Sequence, residues 1–290
     1  MKLFQYTLDK SSKKFRCPEC SKKTFVRYKD VDGNYISEDF GRCDREVNCG
    51  YFLKPEENKQ ERPVFVPSKP QPDLPPSFIP VSDVLGTYND YELNSFTIWL
   101  ISHFGEERIQ ELINKYRFGV DDSGPYTKDW TVFWQYDIEN RVRSGKIIKY
   151  DQTGHRDKEY SATWYHKKVR FNQPVFPEFN LKQCLFGEHL LPLYPNMPVA
   201  IVESEKTAII ASLFIDKYIW LACGGKSVLQ AETVAVLKHR SVTLFPDLGA
   251  YEDWLVKAKE FGFNISNQLE NIATPDDRLK GLDLADYLLY

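Results

Sequence analysis

The sequence predicts an α/β protein whose C-terminal part contains a parallel sheet, preceded by an α+β subdomain and by a small metal-stabilised N-terminal domain. Two observations predict this fold class. In the last hundred residues, short apolar runs recur roughly every 20 residues and alternate with helical patterns, which is typical of βαβ units. Four of the six cysteines lie within the first 50 residues, and such a concentration in a short segment indicates a metal site.

The composition favours a folded protein without a membrane segment. The chain has 290 residues, 42% of them hydrophobic, which is enough for one large or several small cores. No apolar run approaches the roughly 18 residues of a membrane helix, and the N-terminus lacks the apolar core of a secretory signal. We therefore expect a cytoplasmic protein that has no membrane partner.

The modest net charge of −3 does not reveal a local excess of basic residues. Residues 141–170 hold 9 basic and 3 acidic side chains. Such a stretch predicts a surface that faces phosphates, although a solvated basic face without a function has the same composition.

A proline-rich connector divides the chain. Residues 61–80 contain seven prolines and are expected to be extended. We therefore predict a zinc-ribbon domain at 1–60, a linker at 61–80, a basic α+β subdomain at 81–190 and an α/β domain at 191–290.

The element predictions follow from periodicity and turn residues. Two helices are expected within 89–120, the first beginning at Asn94 or Ser95, and strands are expected within 129–171, with turns at Glu139-Asn140 and Ser144-Gly145. In the α/β domain, strands are predicted at 199–202, 218–222 and 242–245, and helices at 204–214, 227–239 and 250–261.

Acidic residues follow two of these strands. Glu203 comes directly after the first and Asp247 soon after the third, while Asp283 and Asp286 lie near the C-terminus. The carboxyl ends of parallel strands share one edge of a sheet, and carboxylates crowded there repel one another unless a cation neutralises them. The pattern predicts Mg²⁺ or Mn²⁺ and phosphoryl-transfer chemistry.

A simpler interpretation of the same acids stays open. Glu203 and Asp247 would each stabilise the start of a helix, and Asp283 with Asp286 would form a solvated helix start. Lys206 could either contact a phosphate at this edge or pair with Glu205.

The cysteine spacing predicts a structural zinc site. Cys17 and Cys20 form a Cys-x-x-Cys pair, and Cys43 and Cys49 form a wider second pair. Four thiolates leave no open position on zinc, so its role would be to stabilise a small fold. The ribbon either contacts nucleic acid or is purely architectural, whereas Cys184 and Cys223 are expected to be ordinary buried thiols.

Three motifs resemble those of Toprim domains, the βα module of bacterial primases, topoisomerases and related nucleases. The segment "AIVESEKTAIIAS" is similar to the motif in which a strand ends in a metal-binding Glu, "VTLFPDLGAYEDWLVKA" to the Asp-x-Asp motif, and "GLDLADYLL" to a later Asp-containing segment. The resemblance covers about 197–290 and implies that Glu203, Asp247, Asp283 and Asp286 belong to the catalytic site.

One position departs from the Toprim pattern. Gly249 stands where the second Asp of Asp-x-Asp is expected. The loss of that carboxylate would weaken the cation site, and Glu205 is the nearest candidate to replace it.

The order of the predicted domains resembles that of bacterial DnaG-type primases and their relatives in phages and mobile genetic elements. The resemblance implies that single-stranded DNA and ribonucleotides bind here and that a separate replicative helicase is a partner. Trp164, Tyr165 and His166 add aromatic groups to a basic segment, a mixture that grips single strands. The candidates for phosphate contacts are Arg141, Arg143, Lys146, Lys149, Lys167, Lys168 and Arg170.

The leading hypothesis is therefore a primase-like protein that joins ribonucleotides with Mg²⁺ or Mn²⁺ held by Glu203, Asp247 and Asp283, with Asp286 and Lys206 as further candidates for the catalytic site. The alternatives are a catalytically degenerate Toprim DNA-binding protein of a phage or mobile element, and a Toprim nuclease. The chain is too short for the strand-passage gate of a topoisomerase.

Overall fold

The protein divides into two compact units, Met1–Gln71 and Pro72–Tyr290. Most of the predicted linker at 61–80 lies outside the part of the chain that the structure describes. Within that part, no helix is long and apolar enough to cross a membrane. The computed structural model describes residues 6–45, 49–55, 74–121, 129–170, 173–225 and 228–289, without the side chains of residues 169, 170 and 173.

The first unit contains an antiparallel sheet in the order β1-β2-β3-β4. Phe25, at the start of β2, is fully buried and packs beside the cysteines. Tyr35 forms a single bridge with Lys29, and the carboxylate of Asp30 accepts from the amides of Asp32 and Asn34 in the turn between them. The strands are β1 (Tyr6–Leu8), β2 (Phe25–Asp30), β3 (Gly41–Cys43) and β4 (Phe52–Leu53).

The second unit begins with helices and an antiparallel sheet in the order β5-β6-β7-β8. The predicted helix start is confirmed, since Asn94 caps α2 and its side chain accepts from the amide of Thr97 at 2.9 Å. The elements are α1 (Val81–Leu85), α2 (Ser95–Phe104), α3 (Glu106–Tyr116), β5 (Phe118–Asp121), β6 (Trp130–Tyr136), β7 (Val142–Ile148) and β8 (Thr163–Trp164).

One predicted turn of this sheet is confirmed and the other is wrong. Asn140 has a φ of 59° and lies in the turn between β6 and β7. Ser144 and Gly145 instead lie inside β7. Gly145 is opposite Trp134, and a Cβ at Gly145 would come within 2.6 Å of the indole. The glycine therefore makes room for a tryptophan across the sheet and does not make a turn.

The antiparallel sheet has a hydrophobic cluster on each face. Phe133 belongs to the cluster that extends into the C-terminal half of the unit, whereas Val132, Trp134 and Ile147 belong to a second cluster with Ile79. This alternation follows from the two-residue period of a strand. The finer division of the second unit at residue 190 stays a prediction.

The C-terminal half contains a four-stranded parallel sheet in the order β12-β11-β13-β14, so a mixed α/β fold is confirmed. β11 and β12 are buried along their whole lengths, as is usual for strands covered on both faces. The strands are β9 (Val169–Arg170) and β10 (Gln173–Pro174), which form a separate pair, and β11 (Val199–Val202), β12 (Ile219–Ala222), β13 (Val242–Leu244) and β14 (Asn264–Ile265).

The helix expected at 227–239 is much shorter than predicted. Gln230 is extended, and the helix ends in a 3₁₀ turn, Ala235–Leu237, where the β-branched Val234 and Val236 lower helix propensity. The predicted helices around 204–214 and 250–261 are confirmed. The helices are α4 (Glu205–Phe214), α5 (Ala231–Val234), α6 (Tyr251–Phe261), α7 (Gln268–Ile272), α8 (Pro275–Lys280) and α9 (Leu284–Leu289).

Candidate metal and nucleic-acid sites

The four predicted cysteines of the first unit meet in one cluster. The ligand atoms of Cys17, Cys20, Cys43 and Cys49 all lie within 4.8 Å of one another. The Sγ atoms of Cys17 and Cys49 are 3.7 Å apart, and those of Cys20 and Cys43 are 3.9 Å apart. Four sulfurs at the corners of a zinc tetrahedron are about 3.8 Å apart, so the donor set and its geometry fit structural zinc.

Local turns bring these cysteines together. The amide of Cys17 donates to the Lys22 carbonyl at 2.8 Å, which closes the first knuckle. Cys43 ends β3 and is fixed by a hydrogen bond from its amide to the Tyr51 carbonyl. The amide of Cys49 donates to the Arg45 carbonyl at 2.8 Å. This short turn explains how the wider second pair reaches the same point.

Glu203 and Asp247 lie past the carboxyl ends of neighbouring parallel strands. Glu203 follows β11 directly, and Asp247 lies three residues beyond β13. The two strands are paired in register, with Ile201 opposite Leu244, and the amide of Phe245 donates to the Ile201 carbonyl at 2.8 Å. Both carboxylates therefore belong to the same edge of the sheet, which we call the carboxylate edge.

Helix capping does not explain Glu203. The cap of α4 is Ser204, whose side chain accepts from the amide of Thr207 at 3.1 Å. At the start of α6 the capping position is Ala250, and Asp247 accepts from the Ala250 amide through its backbone carbonyl at 3.0 Å. The N-cap of α4 is therefore Ser204 and not Glu203, and stabilisation of the helix start by the Glu203 charge stays a prediction.

Asp283 and Asp286 form the start of α9. The Asp286 amide donates to Asp283 Oδ1 at 3.1 Å, and the Asp283 amide donates to Asp286 Oδ2 at 2.9 Å. Thr207, in the first turn of α4, donates its hydroxyl proton to Asp283 Oδ2 at 2.6 Å. Burial and the neighbouring Asp286 charge raise the pKa of Asp283. This pair is a helix start, as the simpler interpretation held; both residues are half-buried, and Asp283 also accepts a hydrogen bond from α4.

Glu205 pairs with Lys146 of β7 and not with Lys206. Lys146 Nζ lies 3.1 Å from Glu205 Oε2 and donates to the Gly224 carbonyl at 2.8 Å. The Glu205 side chain is 1% exposed. Because its charge is already neutralised by a lysine, Glu205 is a poor replacement for the carboxylate that Gly249 lacks.

Lys206 is held by contacts with Gly154 and Trp99. It is buried, its Nζ donates to the Gly154 carbonyl at 2.8 Å, and it lies 5.2 Å from the ring centroid of Trp99. Burial lowers the pKa of Lys206, opposed by the charge of Asp283. The pairing of Lys206 with Glu205 is therefore wrong, and a phosphate contact of Lys206 stays a prediction.

The carboxylates do not form a closed cluster. In the described ranges, the four cysteines are the only group of three or more His, Cys, Asp or Glu residues whose ligand atoms all lie within 4.8 Å of one another. Gly249 has a φ of +80°, and a Cβ there would meet no atom within 4 Å. The chain thus has open space where the Toprim pattern has a second aspartate. Cys184 and Cys223 are buried free thiols of the second unit.

Two of the candidate phosphate-binding arginines hold an internal carboxylate. Asp137 Oδ2 lies 3.0 Å from Arg141 and 2.8 Å from Arg143, and its side chain is 3% exposed. Both guanidinium groups also lie over the ring of Phe78. Asp137 accepts hydrogen bonds from backbone amides in the turn next to Asn140. An Asp that begins a turn is a signal in the sequence itself, but the sequence interpretation did not assign a structural role to Asp137.

The remaining basic candidates are in different environments. Lys149 lies 4.0 Å from an Asp157 carboxylate oxygen, Lys168 pairs with Asp121, and Lys167 is exposed. The side chain of Arg170 lies outside the described residues.

The aromatic part of this segment faces inward. Tyr165 and His166 are buried, and His166 Nδ1 lies 2.8 Å from the Ser144 hydroxyl. These two rings therefore do not form a stacking surface, and Trp164 is half-buried.

The first unit carries an aromatic and basic face that the sequence interpretation did not assign to particular residues. The rings of Phe15 and Tyr35 are 5.0 Å apart, and Lys13 lies over both. Tyr35 is fixed by donating to Asp9 Oδ2 at 2.6 Å, and Lys29 pairs with the same carboxylate. We call Lys13, Phe15, Lys29 and Tyr35 the ribbon face.

The fold and sites together define a protein with a four-cysteine zinc ribbon and a mixed α/β unit that carries acidic residues at strand ends. Residues 94–248 match the family model described as a domain of unknown function, DUF6371. This match covers more than half of the chain, so the protein belongs to that family. Residues 4–64 match the model of a zinc β-ribbon finger. No curated protein matches the chain.

Several solved primase structures are similar to this chain. The RNA polymerase domain of Mycobacterium tuberculosis primase DnaG is 13% identical, with 72% of this chain and 79% of that chain covered and a TM-score of 0.44. The primase fragment of the bacteriophage T7 primase-helicase is 13% identical, with 95% and 96% covered and a TM-score of 0.42. The zinc-binding and RNA polymerase domains of Aquifex aeolicus primase are 11% identical, with 87% and 70% covered and a TM-score of 0.36.

Proposed function

We propose that this protein is a primase-like enzyme that binds single-stranded DNA and joins ribonucleotides with Mg²⁺ or Mn²⁺ at a Toprim-type carboxylate edge. The observation that carries the proposal is the position of Glu203 and Asp247 past the carboxyl ends of two neighbouring, paired parallel strands. The Toprim-like motifs around both residues support the same assignment, and the zinc ribbon at the N-terminus fits the domain order of such proteins.

The donors at this edge fit a hard divalent cation. Carboxylate oxygens are the ligands that Mg²⁺ prefers, and Mg²⁺ usually binds one or two of them and keeps waters or substrate phosphates as its other ligands. Glu203 and Asp247 would hold the ion, and Asp283 would support the site from the start of α9 through Thr207. A bound Mg²⁺ would supply charge stabilisation to phosphate oxygens.

Few of the described residues are supported as candidates for DNA binding. The ribbon face combines two aromatic rings with lysines, which is the combination that binds single strands through stacking and charge. In the second unit, Lys167 is an exposed candidate for a phosphate contact. Arg141, Arg143 and Lys146 have internal carboxylate partners and are proposed to support the fold. We propose a separate replicative helicase as a partner of the protein.

Primer synthesis tests the proposal directly. The full chain is incubated with single-stranded templates, labelled ribonucleotides and Mg²⁺, and compared with Glu203→Gln, Asp247→Asn and the control Asp253→Asn. Asp253 is an exposed acid in α6. We expect primers from the natural protein and the control and at least a hundredfold loss in the two edge variants. Equal synthesis by all four proteins would refute the assignment of the edge.

A second function is favoured by one observation. Gly249 removes the second acid of the Asp-x-Asp pattern and nothing fills its place within 4 Å, which favours a catalytically degenerate DNA-binding protein of a phage or mobile element. Template binding without primers in every variant would support that function, and shortening of the template that depends on Glu203 would support a Toprim nuclease.

A further inference from the structure

The Lys146–Glu205 pair joins two parts of the second unit at the carboxylate edge. Lys146 belongs to β7 of the antiparallel sheet, whereas Glu205 opens α4 of the parallel-sheet region. The two side chains are 15% and 1% exposed. A charge pair in this position is strongly desolvated, and removal of one partner would leave the other charge buried.

Lys146 also holds the backbone beside Glu203. Its Nζ donates to the Gly224 carbonyl at 2.8 Å, and the amide of Gly224 donates to the Glu203 carbonyl at 2.9 Å. The amide of Cys223 donates to the Val202 carbonyl at 3.1 Å. One lysine therefore fixes the turn after β12, and that turn fixes the main chain from which the Glu203 side chain projects.

Gly224 is the residue that allows this arrangement. Its φ is +75°, a conformation that glycine adopts without strain, and a Cβ at this position would lie 2.9 Å from Glu205 Oε1. The carboxylate of Glu205 thus packs against the glycine while its other oxygen pairs with Lys146. Both partners of the ion pair contact the turn, Lys146 by a hydrogen bond and Glu205 by packing.

We infer that Lys146 is a positioning residue for the carboxylate edge, and that it acts through Gly224 and Glu205 to hold Glu203 in place. The inference rests on the proposed function for the identity of the ion, and it replaces the phosphate contact that the sequence predicts for Lys146. A group that orients a metal ligand through hydrogen bonds changes metal affinity without touching the metal, by about 10- to 100-fold when it is removed.

The test compares Mn²⁺ binding and amide exchange in four forms of the full chain. The variants are Lys146→Met, Lys146→Met combined with Glu205→Gln, and the control Lys217→Met, which removes an exposed lysine of the same unit. Mn²⁺ affinity is measured by calorimetry, and hydrogen exchange of the Gly224 amide is measured without metal. We expect Lys146→Met to weaken Mn²⁺ binding about tenfold and to accelerate exchange at Gly224, while the control matches the natural protein.

The double variant separates positioning from charge balance. It removes both charges of the pair, so it should recover thermal stability relative to Lys146→Met. Because the hydrogen bond to Gly224 is still missing, fast exchange at Gly224 and weak Mn²⁺ binding should persist. If the double variant recovered both slow exchange at Gly224 and the Mn²⁺ affinity of the natural protein, the positioning role of Lys146 would be overturned.

The remaining outcomes distinguish this inference from the proposed function. If Lys146→Met leaves Gly224 exchange unchanged, the inference is wrong whether or not Mn²⁺ binds. If Lys146→Met changes only the affinity for single-stranded DNA and its salt dependence, Lys146 contacts phosphate and does not position Glu203. If exchange responds as expected but the natural protein binds no Mn²⁺, the positioning of Glu203 stands and the proposed metal-dependent function fails.

Discussion

The zinc ribbon and the carboxylate edge differ in how their potential ligand side chains are used. In the ribbon, the sulfur atoms of four cysteines converge and are spaced as in a zinc tetrahedron. At the carboxylate edge, several of the acids have internal roles: Glu205 pairs with Lys146, and Asp283 supports α9. A closed structural site is specified by its ligands alone, whereas an open site depends on groups that hold a few ligands in place.

The largest expected effect concerns the ribbon. Cys43→Ser removes one of four ligands, and structural zinc in small domains contributes about 10–16 kcal/mol, more than a small unit can lose and stay folded. We expect loss of zinc and of ordered structure in Met1–Gln71, measured by metal analysis and by NMR of the full chain. Cys184→Ala should keep the zinc, because that thiol lies in the second unit. A folded, zinc-free ribbon would contradict this account.

The next effect depends on pH and concerns Glu188. Burial raises the pKa of Glu188 to about 7, and the neighbouring Asp137 charge acts in the same direction while Arg143 opposes it. The folded-state value lies above the ordinary value of 4.5, so ionisation destabilises the fold as pH rises from about 4.5 to 7, by about 3 kcal/mol in full.

Glu188→Gln should therefore match the natural protein near pH 4.5 and exceed its free energy of unfolding at pH 8. Urea unfolding of both proteins across this range measures the difference. An equal difference at every pH would show that folding does not raise the pKa of Glu188 and would contradict this prediction.

A smaller effect distinguishes basic residues that support the fold from those that face solvent. Arg143→Met removes a charged hydrogen bond to the buried Asp137 and should lower the free energy of unfolding by about 2 kcal/mol. Lys167→Met, at an exposed position, should leave stability unchanged and weaken binding of single-stranded DNA. Thermal unfolding of the two variants measures stability, and DNA titrations at several salt concentrations measure binding. The opposite pattern would assign phosphate binding to Arg143.

The smallest effect compares two glycines at the carboxylate edge. Gly224 and Gly249 both have positive φ, but only at Gly224 would a Cβ approach another group closely. Alanine at either position costs about 1 kcal/mol for the backbone, and at Gly224 the contact with Glu205 adds to that. We expect Gly224→Ala to be the more destabilising by denaturant unfolding. Equal losses would show that Glu205 moves aside without cost.

The sequence predicts the ribbon ligands and the parallel strands well because both signals are local. The Cys-x-x-Cys pair belongs to the four-cysteine cluster, as predicted. The apolar runs at 199–202 and 242–245 form strands at the predicted places. Gly145 could not be predicted in the same way. Its role depends on Trp134 across the sheet. The sequence alone does not distinguish a glycine in a turn from a glycine inside a strand unless the partner strand is known.

The roles of charged side chains were the least predictable part. Lys146 and Glu205 are far apart in the chain, and only the tertiary fold makes them a pair. Asp137 forms ion pairs with Arg141 and Arg143, two residues that a count of basic side chains would assign to phosphate binding. Asp283 was recognised as an acid near the edge, but its reciprocal hydrogen bonds with Asp286 depend on where α9 begins.

The central claim is that Glu203 and Asp247 share one divalent cation at the carboxylate edge. Anomalous diffraction from crystals of the full chain soaked in Mn²⁺ tests it most directly. We predict one strong peak within coordination distance of both carboxylates, which is absent in Glu203→Gln crystals treated in the same way. A peak that contacts only one of the two residues, or no peak at this edge, would contradict the account.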